Sequence, residues 1–230
     1  MRLSVVLPVF NGASFLAAAI DSVLAQTRQA DEIIAVDDGS TDDSRAILAR
    51  YAAVRVVSQA NAGCAAARNA GAALACGDAI VFVDQDDIQR VERFARQIDA
   101  LRADPRLGFV VCSQQNFLSE SMVEAPSWCD PRTLAGPQHG FGANTLMLRR
   151  EVLARVGPFD PGKVPMDDSD WLLRALDGGE RYLHIDAALV RRRMHDANLS
   201  ARRYTPRGTH LMARTLHESL QRRRGRGETR

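Results

Sequence analysis

A chain of 230 residues, 46% of them hydrophobic, can build a real core and reads as one large domain or one domain with a small appendage. Its net charge of +2 and pI near 8.5 are too mild to imply a nucleic-acid partner. No apolar stretch approaches the ~20 residues a membrane helix needs, and Cys64, Cys76, Cys112 and Cys129 form neither a CxxC pair nor a zinc-type spacing.

The first hundred residues alternate between two hydrophobic periods. Leu3 to Phe10 is a short apolar run rich in β-branched residues, stopped by Asn11-Gly12, and reads as a strand. Phe15, Leu16, Ile20, Val23 and Leu24 then recur at helical spacing. Glu32 to Val36 is the second strand, ending at Asp37-Asp38-Gly39-Ser40, and Ser40 through Asp43 offers N-caps for a helix carrying Ile47 and Leu48. Val54 to Val57 is a third strand, Cys64 to Cys76 an Ala-rich helix, and Ala79 to Val83 a fourth strand. This cadence predicts an α/β fold with a largely parallel sheet. The second half is less regular. A helix is expected from about Arg90 to Ala103, strands at Gly108–Cys112, Asn144–Leu148 and Tyr182–Val190, and short helices at Glu151–Val156 and Asp168–Leu176. Ser119 to Gly142 holds three prolines and three glycines and reads as a long loop, and Pro206 to Leu220 as a C-terminal helix. Arg191-Arg192-Arg193, Arg202-Arg203 and Arg222-Arg223-Arg224 crowd the end. After Leu220 the bland reading is a solvated or frayed terminus; the functional one is an anionic partner or a membrane surface.

Open α/β sheets bind ligands at the carboxyl ends of their strands. That rule gathers Asn11, Asp37, Asp38, Asp84, Asp86 and Asp87 along one edge. Val83-Asp84-Gln85-Asp86-Asp87 is the sharpest feature. Side chains alternate along an extended backbone, so Asp84 and Asp86 are expected to point the same way. Three like charges there repel unless something positive neutralises them. A hard divalent cation with oxygen ligands, bringing a phosphorylated substrate, is one reading; a solvated acidic turn capping the next helix is the other.

Six motifs in fixed order are similar to those of the inverting GT-A glycosyltransferases of family 2. They are Val5-Val6-Leu7-Pro8-Val9-Phe10-Asn11, Val36-Asp37-Asp38-Gly39-Ser40-Thr41-Asp42, Asn61-Ala62-Gly63 running to Arg68-Asn69, the acidic triplet, Asp167-Asp168-Ser169-Asp170, and His195-x-x-Asn198-x-Ser200. The resemblance extends over about residues 3 to 200 and implies a GT-A fold: a Rossmann-like, mostly parallel sheet flanked by helices, with a smaller mixed acceptor-side subregion. It divides the chain into a glycosyltransferase domain at 1–200, with a nucleotide-sugar-binding half (1–103) and an acceptor-binding half (104–200), and an Arg-rich C-terminal helix and tail (201–230).

What the resemblance implies chemically is transfer of one sugar from a nucleotide-diphosphate sugar, by preference a UDP-sugar, to a hydroxyl acceptor. That acceptor is a saccharide, a lipid-linked intermediate, a peptide or a small metabolite. Pro8, Phe10, Asn11, Asp38, Gly63, Arg68, Asp84 and Asp87 are expected at the donor. Asp86 and Asp84, joined by His195, are expected to hold Mn²⁺ or Mg²⁺, and Asp168 to act as general base. Each has a bland reading beside it: Asp38 as a helix cap, Arg68 on a solvated helix face, His195 on the surface, and Asp168 as an acidic cap favoured by the helix dipole. Two departures stand out. Ser169 replaces the aromatic often found in that segment, and the Q-x-x-R-W signature of processive synthases is missing, which favours a single-transfer enzyme. Free thiols and the absence of a leader pattern after Met1 suggest the cytoplasm, with peripheral membrane contact through the Arg-rich end.

Competing classes are a non-catalytic nucleotide-sugar-binding module and a sugar-phosphate nucleotidyltransferase. The latter would need a Gly-rich N-terminal loop followed by a basic residue, and Pro8-Val9-Phe10-Asn11-Gly12 is not one. A response-regulator receiver would need a suitably placed lysine, whereas the single lysine, Lys163, falls in an apparent loop.

Overall fold

The computed structural model describes residues 1–226. Its frame is β1 (Leu3–Val9), buried at every position because parallel neighbours flank it and helices cover both faces. β2 (Glu32–Asp37) pairs with it on one side and β4 (Ala79–Phe82) on the other, and β3 (Val54–Ser58) extends the sheet beyond β2. Alternation along β1 sorts two cores. Leu3, Val5, Leu7 and Val9 join Leu16 and Ile20 of α1 (Leu16–Leu24) and Phe94 and Ile98 of α4 (Arg93–Ala103). Val6 turns the other way, with Ile34, Ile80 and Phe82, towards Ala65 and Ala67 of α3 (Cys64–Leu74) and towards Trp171. The small residues of α3 bring its backbone close to the sheet. A Cβ added at Gly71 would lie 2.5 Å from Val6 Cγ1.

The eight strands run in the order β3-β2-β1-β4-β7-β6-β8-β5, where β5 is Ile88–Gln89, β6 Leu107–Leu118, β7 Met147–Arg149 and β8 Arg181–Met194. Four of the seven pairings are parallel; the antiparallel ones are β4–β7, β6–β7 and β5–β8. The remaining helices are α2 (Ser44–Leu48), α5 (Arg150–Val156), α6 (Asp167–Asp177) and α7 (Pro206–Gly225).

Several boundaries differ from the sequence reading. The helix expected from Arg90 begins at Arg93, because Ile88–Gln89 form an edge strand on β8. β6 continues past Cys112 through Ser113, Gln114, Gln115 and Asn116, polar residues that hide a strand from hydrophobic pattern. They pair with β8 after register shifts around Cys112, Ser113 and Gln114. α7 also outruns Leu220. Arg222 and Arg223 donate their Nε–H groups to Asp177 at 2.8 and 2.7 Å, so these arginines tie the helix to α6 instead of fraying. The last four residues of the Arg-rich tail, 227–230, lie outside the described residues. No helix among the described residues is long and apolar enough to cross a membrane.

Candidate active site

The register of β1 against β2 and β4 sets Val9 beside Asp37 and Val6 beside Phe82, so the three strands deliver their following residues to one edge. β4 stops at Phe82, and residues 84–87 form a turn in which the Asp87 N–H donates to the Asp84 carbonyl at 3.3 Å. The extended alternation expected for Asp84 and Asp86 is therefore absent. Chain reversal, rather than pleat, brings the carboxylates of Asp84, Asp86 and Asp87 together, with one oxygen of each within 4.8 Å of the others. Gln85 fastens this turn to the end of β1: its Oε1 accepts the Phe10 N–H at 2.9 Å and its Nε2 donates to the Phe10 carbonyl at 3.0 Å.

The three acids are not equivalent. Asp87 is buried and both its oxygens are engaged, Oδ1 by the Arg193 N–H at 3.0 Å and Oδ2 by Asn144 Nδ2 at 2.9 Å. Burial, then repulsion from Asp86 and Asp84, pushes its pKa well above the ordinary carboxylate value. Among the described residues the Asp84 carboxylate accepts one hydrogen bond, from Arg68 Nη2 at 2.9 Å. Asp86 Oδ2 meets His195 Nε2 at 2.9 Å and Asn198 Nδ2 at 3.3 Å. His195 lies 109 residues further on yet arrives at the acid the sequence paired it with. Its ring rests on Phe15, with centroids 4.8 Å apart. Carboxylate oxygens backed by an imidazole are a donor set that suits a divalent cation, and Asp86 and Asp84 keep more free coordination capacity than Asp87.

Among the three consecutive arginines, the contacts separate the roles. Arg191 lies over the Phe117 ring, and Arg193 over both Phe15 and Phe117. Arg192 lines the cleft and donates to Ser200 Oγ at 2.6 Å, leaving it the arginine of the three that faces a ligand there. Asn198 holds the segment after β8, accepting the His195 N–H at 2.7 Å and donating to the Arg193 carbonyl at 3.1 Å.

On the other side of a cleft of about 260 Å³ stands the N-terminus of α6. Asp167, Asp168 and Asp170 occupy its first turn, where the helix dipole favours carboxylates. Arg68 is 6% exposed and bridges the two sides, donating to Asp167 Oδ2 at 2.8 Å and to Asp84 Oδ1 at 2.9 Å. It is therefore not on a solvated face. Burial pushes Asp167 up to about 6 despite Arg68 beside it. For Asp168, burial also pulls upward, but Arg203 and Arg68 outweigh it and hold the carboxyl below its ordinary value. Asp168 is thus an ionised carboxylate lining the same cleft as Asp84 and Asp86.

Asp38 is buried and accepts three hydrogen bonds from the loop after β3: Gln59 Nε2 at 2.7 Å, the Ala62 N–H at 2.8 Å and the Gly63 N–H at 2.8 Å. It caps no helix; it shapes the loop on which Gly63 adopts φ +91°. Asn11, at φ +47°, accepts the Thr41 N–H at 2.8 Å, tying the ends of β1 and β2. Phe10 is exposed beside them, whereas Pro8 is buried within β1 opposite Val36. Sequence reasoning missed Gln85, Asn144 and Arg203 as site residues. Gln85 sits inside the acidic run, where an amide carries no charge signal. Asn144 opens an apolar run read as strand, and Arg203 lies among tail arginines.

A family model described as "Glycosyl transferase family 2" matches residues 4–154. An uncharacterized glycosyltransferase of Nostoc sp., alr2836, is 31% identical over 188 residues, covering 71% of this chain and 55% of the relative. The uncharacterized glycosyltransferase EpsJ of Bacillus subtilis is 31% identical over 221 residues, covering 88% of this chain and 64% of the relative. The chain thus spans a little over half to two thirds of the length of these relatives. Among solved structures, the mannosyltransferase PcManGT of Pyrobaculum calidifontis, in complex with GDP-Man and Mn²⁺, superposes with a TM-score of 0.74 at 22% identity, covering 96% of this chain and 64% of that one. S. aureus TarS in complex with UDP-GlcNAc gives 0.73 at 18% identity, covering 95% of this chain and 66% of that one. Both likenesses show the GT-A fold.

Proposed function

The chain belongs to glycosyl transferase family 2, and from that premise we propose that it moves a single sugar from a nucleotide-diphosphate sugar, a UDP-sugar by preference, to a hydroxyl acceptor with inversion. The observation that carries this reading is one cleft lined on one side by Asp84 and Asp86 and on the other by the ionised Asp168. A binding module needs the first side and has no use for the second.

Asp86 and Asp84, with His195 against Asp86, would hold Mn²⁺ or Mg²⁺, which when bound supplies positive charge to the diphosphate leaving group. Arg192 and Ser200 would bind diphosphate oxygens from the same segment. Asp38 keeps one acceptor position on Oδ2 beyond its three loop bonds, which suits the N–H of a pyrimidine ring. Gly63 donates to that same oxygen, Phe10 and Asn11 would join it at the donor as the family resemblance implies, and Arg68 holds Asp84 at the donor side. Asp168 takes the acceptor proton as the hydroxyl attacks the anomeric carbon, opposite the departing diphosphate, and a carboxylate that stays charged at neutral pH can do so. The nucleotide complexes of TarS and PcManGT support a nucleotide-sugar donor in general, and the Mn²⁺ of PcManGT supports a metal.

The test pairs binding with turnover. Thermal shift with a panel of nucleotide sugars and Mn²⁺ should single out one nucleotide diphosphate, since a ligand at a hundred times its Kd adds about 2.7 kcal/mol of stability. Asp168→Asn should keep that shift and lose turnover. No shift with any donor, or unchanged turnover in Asp168→Asn, overturns the reading.

A further inference from the structure

The two oxygens of Asp168 have different surroundings. Oδ1 accepts the Ser169 N–H at 2.7 Å, Ser169 Oγ at 3.3 Å and Arg203 Nη2 at 2.7 Å. Oδ2 has no hydrogen bond among the described residues. It faces the backbone of Gly142, where an added Cβ would stand 3.0 Å from it. Gly142, Asp168 and Arg203 all line the cleft, so both oxygens belong to it: Oδ1 is held by Arg203 and Oδ2 is left free over Gly142.

Arg203 is itself held. Its Nε donates to the Pro165 carbonyl at 3.0 Å, so two nitrogens of the guanidinium are engaged, one by the backbone and one by the carboxylate. The turn carrying it, Leu199–Tyr204, is packed closely under the start of α7, where a Cβ at Gly208 would fall 2.7 Å from the Arg203 carbonyl. α7 is in turn fastened to α6 through Asp177. Arg203 is therefore built into the fold on both sides, with a side chain 30% exposed.

We propose that Arg203 is a positioning residue for the transfer: it pins Asp168 by one oxygen so that the other, over Gly142, meets the acceptor hydroxyl. This rests on the reading of Asp168 as general base. One consequence is that the segment from Arg192 to Arg203 serves both partners of the reaction. His195 and Asn198 reach Asp86 on the donor side, and eight residues after His195 Arg203 sets the base. Arg203 also keeps Asp168 ionised against burial. Arg68, Asp167 and Cys64 are further charged or titratable groups near that carboxylate, and His139 and Arg192 line the same cleft.

Three variants test this. A crystal structure of Arg203→Gln should show the Asp168 carboxylate rotated away from Gly142, and this arm needs no substrate. Titration of Asp168 by carboxyl carbon NMR, assigned with Asp168→Asn, should move to higher pH in Arg203→Gln. Release of UDP from UDP-glucose and UDP-N-acetylglucosamine with Mn²⁺, water being the acceptor, should fall in kcat by about a hundredfold, the scale of a lost positioned base, with KM for donor little changed. Arg203→Lys should restore most of the titration but not the rate, since an ammonium keeps the charge and loses the fork to Pro165. An Asp168 carboxylate that keeps its place and titration in Arg203→Gln overturns the proposal, whatever the rate. Asp168→Asn judges the base separately: UDP release that survives it removes Asp168 as base without bearing on the orientation seen in Arg203→Gln.

Discussion

Gly142→Ala places one methyl group in the cleft, against Asp168, and separates folding from chemistry. Gly142 has φ −153° and ψ 168°, extended backbone that alanine adopts without strain. The substitution removes conformational freedom from the unfolded chain, which favours folding by about 0.4–1 kcal/mol. Against this, the new Cβ stands 3.0 Å from Asp168 Oδ2 and 3.2 Å from Asn144 Oδ1, so both side chains must give by a few tenths of an ångström. Asn144 cannot turn freely, because its Nδ2 holds Asp87 Oδ2 at 2.9 Å and Gln114 Oε1 at 3.0 Å. Asp168 is pinned at Oδ1, so its Oδ2 moves least easily of all. The two effects on stability nearly cancel, and urea denaturation should place the variant within about 1 kcal/mol of the parent. Turnover should fall much further, by about a hundredfold. The methyl group covers the free oxygen and shifts any approaching hydroxyl by about an ångström, and a displacement of that size costs about 10² in rate. Donor binding, read as the thermal shift with UDP and Mn²⁺, should be unchanged. Full activity in a folded Gly142→Ala protein would refute the claim that Asp168 Oδ2 faces the acceptor across Gly142.

Gly71→Ala is the contrasting glycine. Its Cβ would fall 2.5 Å from Val6 Cγ1 in a packed core, so overpacking of about 1–3 kcal/mol should exceed the ~1 kcal/mol gain in helix propensity, and the thermal midpoint should drop. Asp177→Asn tests the tail. Burial raises the Asp177 pKa, but hydrogen bonds from Arg223, Ser219 and Arg222 outweigh that and leave it lowered. A lowered folded pKa gives stability that is present above the ordinary value of 3.8 and lost as pH falls through the folded one. The variant should therefore be weaker by about 1–2 kcal/mol at pH 7, discounted for arginines that are partly exposed. The gap to the parent should close in acid, and a gap independent of pH in urea titrations contradicts the staple. His195→Ala should raise the Mn²⁺ concentration needed for UDP binding by about tenfold or more, measured calorimetrically. Unaltered metal dependence would reduce His195 to a support for Asp86.

How much of this was legible in the sequence follows from what kind of force places each residue. The parallel half of the sheet was readable because burial on both faces forces continuous apolar runs such as Leu3–Val9 and Ala79–Phe82, and strand ends then collect the acids. The half built from β5 to β8 was not. β6 and β8 continue as polar strands whose pairing is set by a register shift, and β5 exists only because β8 passes alongside. Motif order singled out Asp86, Asp168 and His195, but the contacts around them depend on distant segments. Asp87 is expected at the donor, yet Asn144 and the Arg193 N–H occupy both its oxygens; Asp38 is expected at the donor with a helix cap as its bland reading, and the loop at 59–63 closes on it instead. Arginines were the least readable of all. The same side chain stacks on Phe117 at 191, faces the cleft at 192, orients a carboxylate at 203 and anchors a helix at 222 and 223. Charge along the chain marks where cations are abundant; the partner that each guanidinium reaches is decided by the fold.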